Sequence, residues 1–586
     1  MATIRASYMA IVVLVSIYLS GIGAALLCDT DFGNLDVKMI SIPDKGKRIS
    51  GLLYRPIDAT SQNPLPAVVL VHGISGSKQM MSGIALELAR HGLVALAIDL
   101  VGHGNSEGVF GGDATDPTLG TLAAVGYLEA QPYVNGSLIG LVGHSLGAGA
   151  IRATAVAHEN IAASVYIAGG LGSMVAGSAY GVLNSTFPKN LLIAVGKYDV
   201  LFEMDQLKRA IEPVFEGPQE IAPCFLYGNF STQTARKLIT PPTTHLFEPM
   251  DPSIVSEIVL WMNNALRTTG SRPGPFLSIE PNYVYREAAI FVSLVSFVGL
   301  IFSISSVIFD LYPPLVQKAK TETNYGILEV WKTLIIWGSL GLVLLLPMFL
   351  VGSLIPIPPL IFGSSFAWWL LAVAIVGLLL ILLALPKIST VRLTLRPAVS
   401  KSLNHMSVVT AVGIFVLLYS ITYLVENVSL MDLRMFVIPV FNNLVPVTRI
   451  PMFLVFVPFF GVYFFVEGLY FHEFHTSSGQ KSGLKSQAVE LMKTIGAKIF
   501  PYAALLGVNY FPTVWLNIRP LPTFIGFLVE FFWGVMPLFI ISIACSWWFY
   551  RKTSNIGTGA ILNALLFAWS AAATFPFGAF SFSMRF

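Results

Sequence analysis

The stretch Gly-His-Ser-Leu-Gly at residues 143–147 decides how this chain is interpreted, because it places a serine between glycines at a predicted strand-to-helix turn. An apolar run precedes it at residues 137–142, and a run of small residues follows it at 148–150. A serine hydroxyl is a poor nucleophile unless it is held exposed beside a base. The flanking glycines permit the strained backbone and the close helix–strand approach that such exposure requires. An ordinary glycine-rich turn is the alternative, so the rest of the chain has to decide between them.

Composition indicates that much of the chain does not face water. Of its 586 residues, 55% are hydrophobic and 11% are charged, whereas soluble domains carry roughly 25% charged residues. The net charge of +3 is too small to indicate nucleic acid as a partner. Three cysteines do not make a disulfide framework, and none has the spacing of a metal site. We therefore expect neither a metal nor a cofactor.

The uneven spread of charge divides the chain into three predicted parts. Residues 1–29 hold an apolar segment long enough to cross a bilayer, which needs about 20 residues. We interpret it as an uncleaved anchor; a cleaved signal peptide is the rival interpretation. Residues 30–272 have the mixed composition of a water-soluble domain, and residues 273–586 form a polytopic membrane domain. Eight further spans are predicted at about 287–309, 328–352, 365–385, 406–425, 451–472, 498–516, 523–548 and 557–578.

Basic residues alternate with these spans in agreement with the positive-inside rule. Every second loop carries them, and the loops between are poor in charge. With Arg5 on the cytoplasmic side, the predicted localisation is a multi-pass cell-membrane protein whose residues 30–272 lie outside the cytoplasm. The segment 430–450, interrupted by prolines, is predicted to be interfacial or re-entrant. The cytoplasmic basic residues are Lys318, Lys320, Lys387, Arg392, Arg396, Lys401, Lys481, Lys485, Lys493, Lys498, Arg551 and Lys552.

The soluble part alternates predicted strands and helices, which is typical of a parallel α/β sheet flanked by helices. Two alternating runs joined by a turn begin it, and several continuous apolar runs follow, as expected for strands buried on both faces. The predicted strands are 36–42, 48–54, 67–71, 94–98, 137–142, 164–168 and 191–195. The predicted helices are 79–90, about 116–130, the segment after residue 145, and 254–266.

Short polar motifs fall at the ends of these strands. Ser145 follows one strand, Asp199 follows a later one, and His245 lies in a loop before the last helix. This chain order of nucleophile, acid and base is that of the α/β-hydrolase fold. Together with the D-x-x-G-H-G-x-S-x-G stretch at 99–108, residues 36–268 resemble α/β-hydrolases of the lipase, esterase and serine aminopeptidase group.

The resemblance implies a role for each of these side chains. Ser145 is expected to be the nucleophile; dehalogenases and epoxide hydrolases of similar fold carry aspartate at this position. His245 is expected to act as the general base, and Asp199 as the acid that orients it. Glu203 and Asp205 are the rivals of Asp199, but they fall inside the following predicted helix.

The resemblance also implies an oxyanion hole made by the backbone N–H groups of Ile74 and Leu146. In this group, residues such as Asp99, His103 and Ser106 brace the loop after the fourth strand rather than form a second triad. The residues expected to support the turn and the site are His72, Gly73, Gly143, His144 and Gly147.

Segment 171–189, where this group often inserts a lid, is short and rich in small residues. We therefore expect an open site or one roofed by the membrane domain. Glu530 lies within a predicted span, where a helix–helix hydrogen bond is favoured over a proton relay. His472 and His475 have a spacing that a metal could use, but their place at a helix end favours contact with water and headgroups.

The sequence predicts a membrane-integral serine hydrolase that cleaves acyl ester or thioester bonds of lipids or lipid-modified substrates, with the bilayer and an acylated substrate as partners. The order of parts resembles that of GPI inositol-deacylases. A serine peptidase is one alternative, since the same motifs serve aminopeptidases. The other is a transporter or receptor with a hydrolase-like appendage, against which stand the absence of an internal repeat and the few intramembrane charges. The oligomeric state is not predicted.

Overall fold

An eight-stranded sheet forms the centre of the N-terminal half. The computed structural model describes residues 2–111, 116–171, 178–215, 221–266, 281–312, 330–384, 399–400, 402–435, 438–441, 444–473 and 483–578. The strands of the sheet are β1 (Leu35–Asp44), β2 (Lys47–Pro56), β3 (Leu65–Val71), β4 (Val94–Ile98), β5 (Val134–His144), β6 (Ile161–Ile167), β7 (Leu191–Ala194) and β8 (Arg236–Ile239).

The strand order is β1-β2-β4-β3-β5-β6-β7-β8. The strands β4, β3 and β5 to β8 run parallel, and β2 lies antiparallel to both β1 and β4. Every residue of β4, β6 and β7 is buried, as expected for strands covered on both faces. The predicted mostly parallel sheet is confirmed, and β8 is an additional strand that the sequence did not predict.

Helices cover both faces of this sheet. The helices α2 (Ser82–Arg90) and α6 (Pro252–Ala265) pack on one face. The helices α3 (Thr121–Glu129), α4 (Leu146–Ala157) and α5 (Met204–Ile211) pack on the other. The apolar cores on the two faces contain alternate residues of the same strands, which is the period-two pattern of a pleated sheet. The fold is therefore that of an α/β hydrolase.

Nine helices in the described parts of the chain are long and apolar enough to cross a membrane. They match the nine predicted spans in number and order. An antiparallel pair of short strands, β9 (Leu433–Met435) and β10 (Ile438–Phe441), lies in the segment predicted to be interfacial. The nine helices are α1 (Ala2–Asp29), α7 (Tyr283–Leu311), α8 (Val330–Leu354), α9 (Gly363–Ala384), α10 (His405–Ser429), α11 (Ile450–Gly468), α12 (Leu484–Trp515), α13 (Thr523–Thr553) and α14 (Gly557–Thr574).

Several features predicted from the sequence fall on residues outside the described ranges. Much of the predicted cytoplasmic charge lies in 313–329, 385–398 and 474–482, and His475 lies in the last of these. The predicted boundary between the soluble and membrane parts lies within 267–280.

Buried charges attach the sheet to the long helices. The Arg286 guanidinium in α7 pairs with Asp29 at the end of α1, with Nε and Oδ1 2.8 Å apart. The Tyr54 hydroxyl of β2 donates to the same carboxylate at 2.9 Å. Near α14, Arg449 donates to the carbonyl of Gly102 in the loop after β4 at 2.8 Å. The Tyr54 contact lies near the amino end of β4, with which β2 pairs, and the Gly102 contact lies beyond its carboxyl end, so the sheet is attached to the helices at both ends.

Candidate active site

Ser145 occupies the sharp turn between β5 and α4, as the sequence predicts. Its backbone has φ 52° and ψ −115°, a conformation that non-glycine residues rarely adopt. Such strain persists only where the surrounding structure imposes it, and it is concentrated at functional sites. Close backbone contacts impose it here: a Cβ at Gly147 would collide with the Val71 carbonyl, and one at Gly169 with that of Ser145.

The structure brings Ser145, His245 and Asp199 together. His245 begins a short 3₁₀ helix that follows β8, and its Nε2 lies 3.0 Å from the Ser145 Oγ. Its Nδ1 lies 2.8 Å from Oδ2 of Asp199, which follows β7. The other oxygen of Asp199 accepts the Leu201 backbone N–H at 2.7 Å, so both carboxylate oxygens have a hydrogen-bond donor. His245 and Asp199 are buried, and Glu203 lies on the exposed surface.

The environment of His245 favours its protonated form. Burial alone would lower the pKa of this imidazole, but the charge of Asp199 and the hydrogen bond to it outweigh burial, and the negative charge of Glu530 adds to them. The pKa of His245 is therefore raised. Since only the neutral imidazole can accept a proton from Ser145, the serine–histidine pair becomes competent as pH rises through this value.

Glu248 is a site residue that the sequence analysis missed. It is fully buried, its Oε1 accepts the Gly196 backbone N–H at 2.5 Å, and its Oε2 lies 3.5 Å from Nε2 of His144. Burial and the negative charge of Asp199 raise the pKa of Glu248 well above its ordinary value, which favours the neutral form of this carboxyl. The only signal in the sequence is an acidic residue one helical turn after His245, and nothing there shows that it is buried.

His144 also lies in this cluster. Its Nε2 lies 3.1 Å from the carbonyl oxygen of His245, and burial, together with the nearby His245, lowers the pKa of His144 well below its ordinary value. The neutral ring can therefore donate to that carbonyl and hold the His245 backbone. Potential metal-ligating atoms of His144, His245 and Glu248 lie within 4.8 Å of one another. A metal there would displace the hydrogen bond from His245 to Asp199.

His72 holds the loop that carries Ile74. Its Nε2 accepts the Leu100 backbone N–H at 3.1 Å, so its Nδ1 carries the proton and donates to the Gly73 carbonyl at 2.6 Å. Burial lowers the pKa of His72, which keeps this tautomer neutral. Ile74 lines the same cavity as Ser145, and Leu146 is the first residue of α4. Both residues predicted to form an oxyanion hole therefore adjoin the serine.

Asp99 has a buried partner that the sequence did not reveal. Its Oδ2 lies 2.7 Å from Nζ of Lys78, and both side chains are fully buried. Burial opposes ionisation, but the Lys78 charge and hydrogen bonds lower the pKa of Asp99 overall. The Ser106 hydroxyl donates to the Asp99 carbonyl at 2.7 Å, and His103 Nδ1 lies 3.1 Å from the carbonyl oxygen of Val101. These contacts brace the loop after β4.

A cavity opens beside Ser145 and extends among the long helices. It encloses about 1030 Å³ of space, including the part open to its surroundings. One wall comes from the hydrolase fold, with Gly73, Ile74, Ser75 and Leu246 beside the serine. The other comes from α9, α13 and α14. In that wall Glu530 of α13 accepts a hydrogen bond from the Tyr510 hydroxyl of α12 at 2.5 Å, the helix–helix bond that the sequence favours.

Within the segment where a lid was considered, residues 178–189 are described and contain one 3₁₀ turn, Ser178–Tyr180. Residues 172–177 lie outside the described ranges. The cavity wall opposite Ser145 comes from the long helices, as in the expectation of a roof from that part of the chain.

Part of the chain matches a known protein family. Residues 68–290 match the alpha/beta hydrolase family, in agreement with the fold. Among solved structures, an esterase of Pyrococcus furiosus is 18% identical, with 41% of this chain and 96% of that chain covered and a TM-score of 0.30. Est1E of Butyrivibrio proteoclasticus, solved with ferulic acid, is 18% identical, with 38% of this chain and 98% of that chain covered and a TM-score of 0.29. A dienelactone hydrolase of Anabaena variabilis is 20% identical, with 40% of this chain and 100% of that chain covered and a TM-score of 0.29. A search of curated proteins gives no match.

Proposed function

We propose that this protein is a membrane-integral serine hydrolase that cleaves acyl ester or thioester bonds of lipids or lipid-modified substrates. One structural observation supports this proposal most directly. The hydrogen-bonded chain Ser145–His245–Asp199 opens into a cavity whose opposite wall consists of membrane-length helices. The family match of residues 68–290 supports a hydrolase. An enzyme for small soluble esters has no need of such a wall.

The chemistry proceeds through an acyl-enzyme. The Ser145 Oγ attacks the acyl carbonyl carbon while His245 Nε2 takes its proton. The negative charge that develops on the carbonyl oxygen is stabilised by the N–H groups of Ile74 and Leu146. His245 then gives the proton to the departing alcohol or thiol, and the bond to the leaving group breaks. A water molecule attacks the acyl-enzyme, His245 takes its proton, and return of that proton to Oγ releases the acid.

Asp199 keeps the proton of His245 on Nδ1, which leaves Nε2 free to act as the base. In this proposal Glu248 supports Asp199: its neutral carboxyl donates to the Asp199 carboxylate while accepting from Gly196. The arrangement needs no metal and no organic cofactor, because nucleophile, base and electrophilic N–H groups all come from the chain.

The proposed organisation has an anchor at 1–29, an extracytoplasmic hydrolase domain at 30–272 and a membrane domain at 273–586. Ser145 then lies near the outer surface of the bilayer, and substrates reach it laterally from the lipid. This order of parts resembles that of GPI inositol-deacylases, so acyl esters of glycolipids belong among the substrates to be tested.

Labelling with an alkyl fluorophosphonate tests the proposal on the full-length protein in detergent. We expect covalent modification of Ser145, hydrolysis of p-nitrophenyl esters, and loss of both in Ser145→Ala. Ser106→Ala is the matched control, since Ser106 is buried in the same half of the molecule but its hydroxyl bonds to the Asp99 carbonyl and the Ser50 N–H, not to Ser145, His245 or Asp199.

Each alternative predicts a different result. A serine peptidase would be labelled but would cleave peptide amides in preference to esters. A transporter or receptor with an inactive appendage would show neither labelling of Ser145 nor ester hydrolysis. Either result would contradict the proposal.

A further inference from the structure

The cavity beside Ser145 continues as a slot between α13 and α14. The residues of α13 that line it are Phe527, Glu530, Phe531, Gly534, Val535 and Leu538. They recur at the three- and four-residue spacing of one helix face. At 1.5 Å per residue, Phe527 and Leu538 lie about 16 Å apart along the helix axis. The lining of α14 follows the same rule, with Phe567 seven residues before Thr574.

The slot has a mouth at the triad and a floor among the helices. Phe527 marks the mouth, because its ring centroid lies 6.4 Å from that of His245. The end of α14 lies at the same level, since the Phe577 backbone just beyond it exchanges hydrogen bonds with Gly102 and Phe110 of the hydrolase fold. The helices run in opposite directions, so Leu538 and Phe567 both lie at the deep end.

Polarity falls along this path. The polar lining residues from the two helices, Glu530, Ser570 and Thr574, belong to the mouth and the middle of the slot. The deep end is lined by the apolar side chains of Leu538 and Phe567, and Phe366 of α9 bridges Phe567 and Phe575 at centroid distances of 6.4 and 6.1 Å. Burying hydroxyl or charged groups against such a surface without partners is costly. The deep part therefore suits a hydrocarbon chain and not a polar head group.

We propose that the slot binds the fatty acyl chain of the substrate, with the ester carbonyl at Ser145 and the chain end at Leu538. This inference rests on the proposed function. It adds that the acyl chain, and not the alcohol portion of the lipid, enters the slot between the helices. A depth of about 16 Å is close to one leaflet of a hydrocarbon core of about 30 Å. A long-chain acyl group therefore fills the slot, and the alcohol portion stays at the mouth beside Glu530.

Chain-length preference tests this assignment on the full-length protein. Burial of each additional methylene is expected to raise kcat/KM by up to about fourfold until the slot is filled. Gly534→Leu narrows the slot at about 10 Å from Phe527 along the axis. For p-nitrophenyl palmitate we expect kcat/KM to fall by about 60-fold, equal to three buried methylenes at about fourfold each. The butyrate ester, too short to reach Gly534, should change by less than about threefold.

The matched control is Gly507→Leu in α12, where a Cβ would meet no atom within 4 Å. It introduces the same side chain into a membrane-length helix and should leave both esters unchanged. Leu538→Ala removes the floor and should move the optimum to longer chains, whereas Ile540→Ala, at an exposed position of α13, should not. Equal loss on short and long esters in Gly534→Leu, with an unchanged optimum in Leu538→Ala, would overturn the slot.

Crosslinking separates this inference from the proposed function. A palmitate analogue with a terminal diazirine is irradiated with Ser145→Ala, which keeps the slot but lacks the nucleophile. We expect adducts on peptides around Leu538 and Phe567, and fewer of them in Gly534→Leu. Adducts there without any ester hydrolysis by the unmodified protein would support the slot and refute the hydrolase. Hydrolysis without adducts there would refute the slot alone.

Discussion

Glu248→Gln is expected to leave the acid limb of the pH profile almost unchanged, because burial beside Asp199 raises the pKa of Glu248 and favours its neutral form. The glutamine amide reproduces the protonated carboxyl: its oxygen can accept from Gly196 and its NH₂ can donate to Asp199. The variant therefore changes the residue without changing the charge that His245 experiences.

The structure gives the size of the shift in the pKa of His245 that is expected if Glu248 is ionised instead. The Glu248 Oε2 lies 3.9 Å from His245 Nδ1. A negative charge at that distance would stabilise the imidazolium by about 4 kcal/mol at an effective dielectric constant of about 20, or roughly three pKa units. If Glu248 were ionised, its replacement by glutamine would lower the pKa of His245 by up to that amount. We instead expect a shift below about half a unit.

The assay is the second-order rate constant for fluorophosphonate labelling of Ser145, measured between about pH 5 and pH 9. Labelling should be lost as pH falls through the raised pKa of His245, in the variant as in the unmodified protein. Glu203→Gln, which removes an exposed carboxyl before α5, is the control. An acid limb displaced downward by a full unit or more in Glu248→Gln alone would refute the neutral carboxyl.

Three further substitutions examine other parts of the site. Asp199→Asn should lower the labelling rate of Ser145 by about 10⁴-fold by favouring the wrong imidazole tautomer, and an unchanged rate would remove Asp199 from the mechanism. Asp99→Asn leaves the buried Lys78 ammonium without its anion and should cost about 3–5 kcal/mol; a thermal inactivation midpoint equal to that of the unmodified protein would contradict this. Gly147→Ala forces a methyl group onto a β3 carbonyl and should destabilise by about 1–3 kcal/mol, and full thermal stability would show that the turn can relax.

Local patterns were sufficient to predict most of the fold and the three residues Ser145, Asp199 and His245 that the structure brings together. A buried parallel strand is a continuous apolar run, so β3, β4 and β7 were visible in the sequence. Residues that directly follow parallel strands meet at one edge of the sheet, which is why the sequence alone could associate Ser145 with Asp199. Strand β8 was not predicted because Arg236 and Lys237 occupy two of its four positions and leave no continuous apolar run.

The contacts that the sequence did not reveal depend on tertiary packing. The pairing of Lys78 with Asp99 joins the 3₁₀ turn before α2 to the residue after β4, and a lysine outside the regular strands and helices is ordinarily solvated. Likewise, Glu248 has the same local sequence whether its helix turn faces water or Asp199. Glu530 was singled out as an ionisable residue in a predicted span, but its place in the wall of the cavity depends on how α13 packs against the hydrolase fold.

The attachment of the two halves determines whether the slot can guide a substrate. Arg449 holds the Gly102 carbonyl at 2.8 Å, and the same carbonyl accepts the Phe577 N–H at 2.8 Å. The loop after β4 is thus bound to the end of α14. Leu100, at the start of this loop after β4, donates to His72, which holds the loop that carries Ile74. The distance from Ser145 to the slot is therefore fixed before an ester arrives. Because reacting atoms displaced by about 1 Å can cost about 10²-fold in rate, loosening this attachment should slow long-chain esters, which bind both halves, more than short ones.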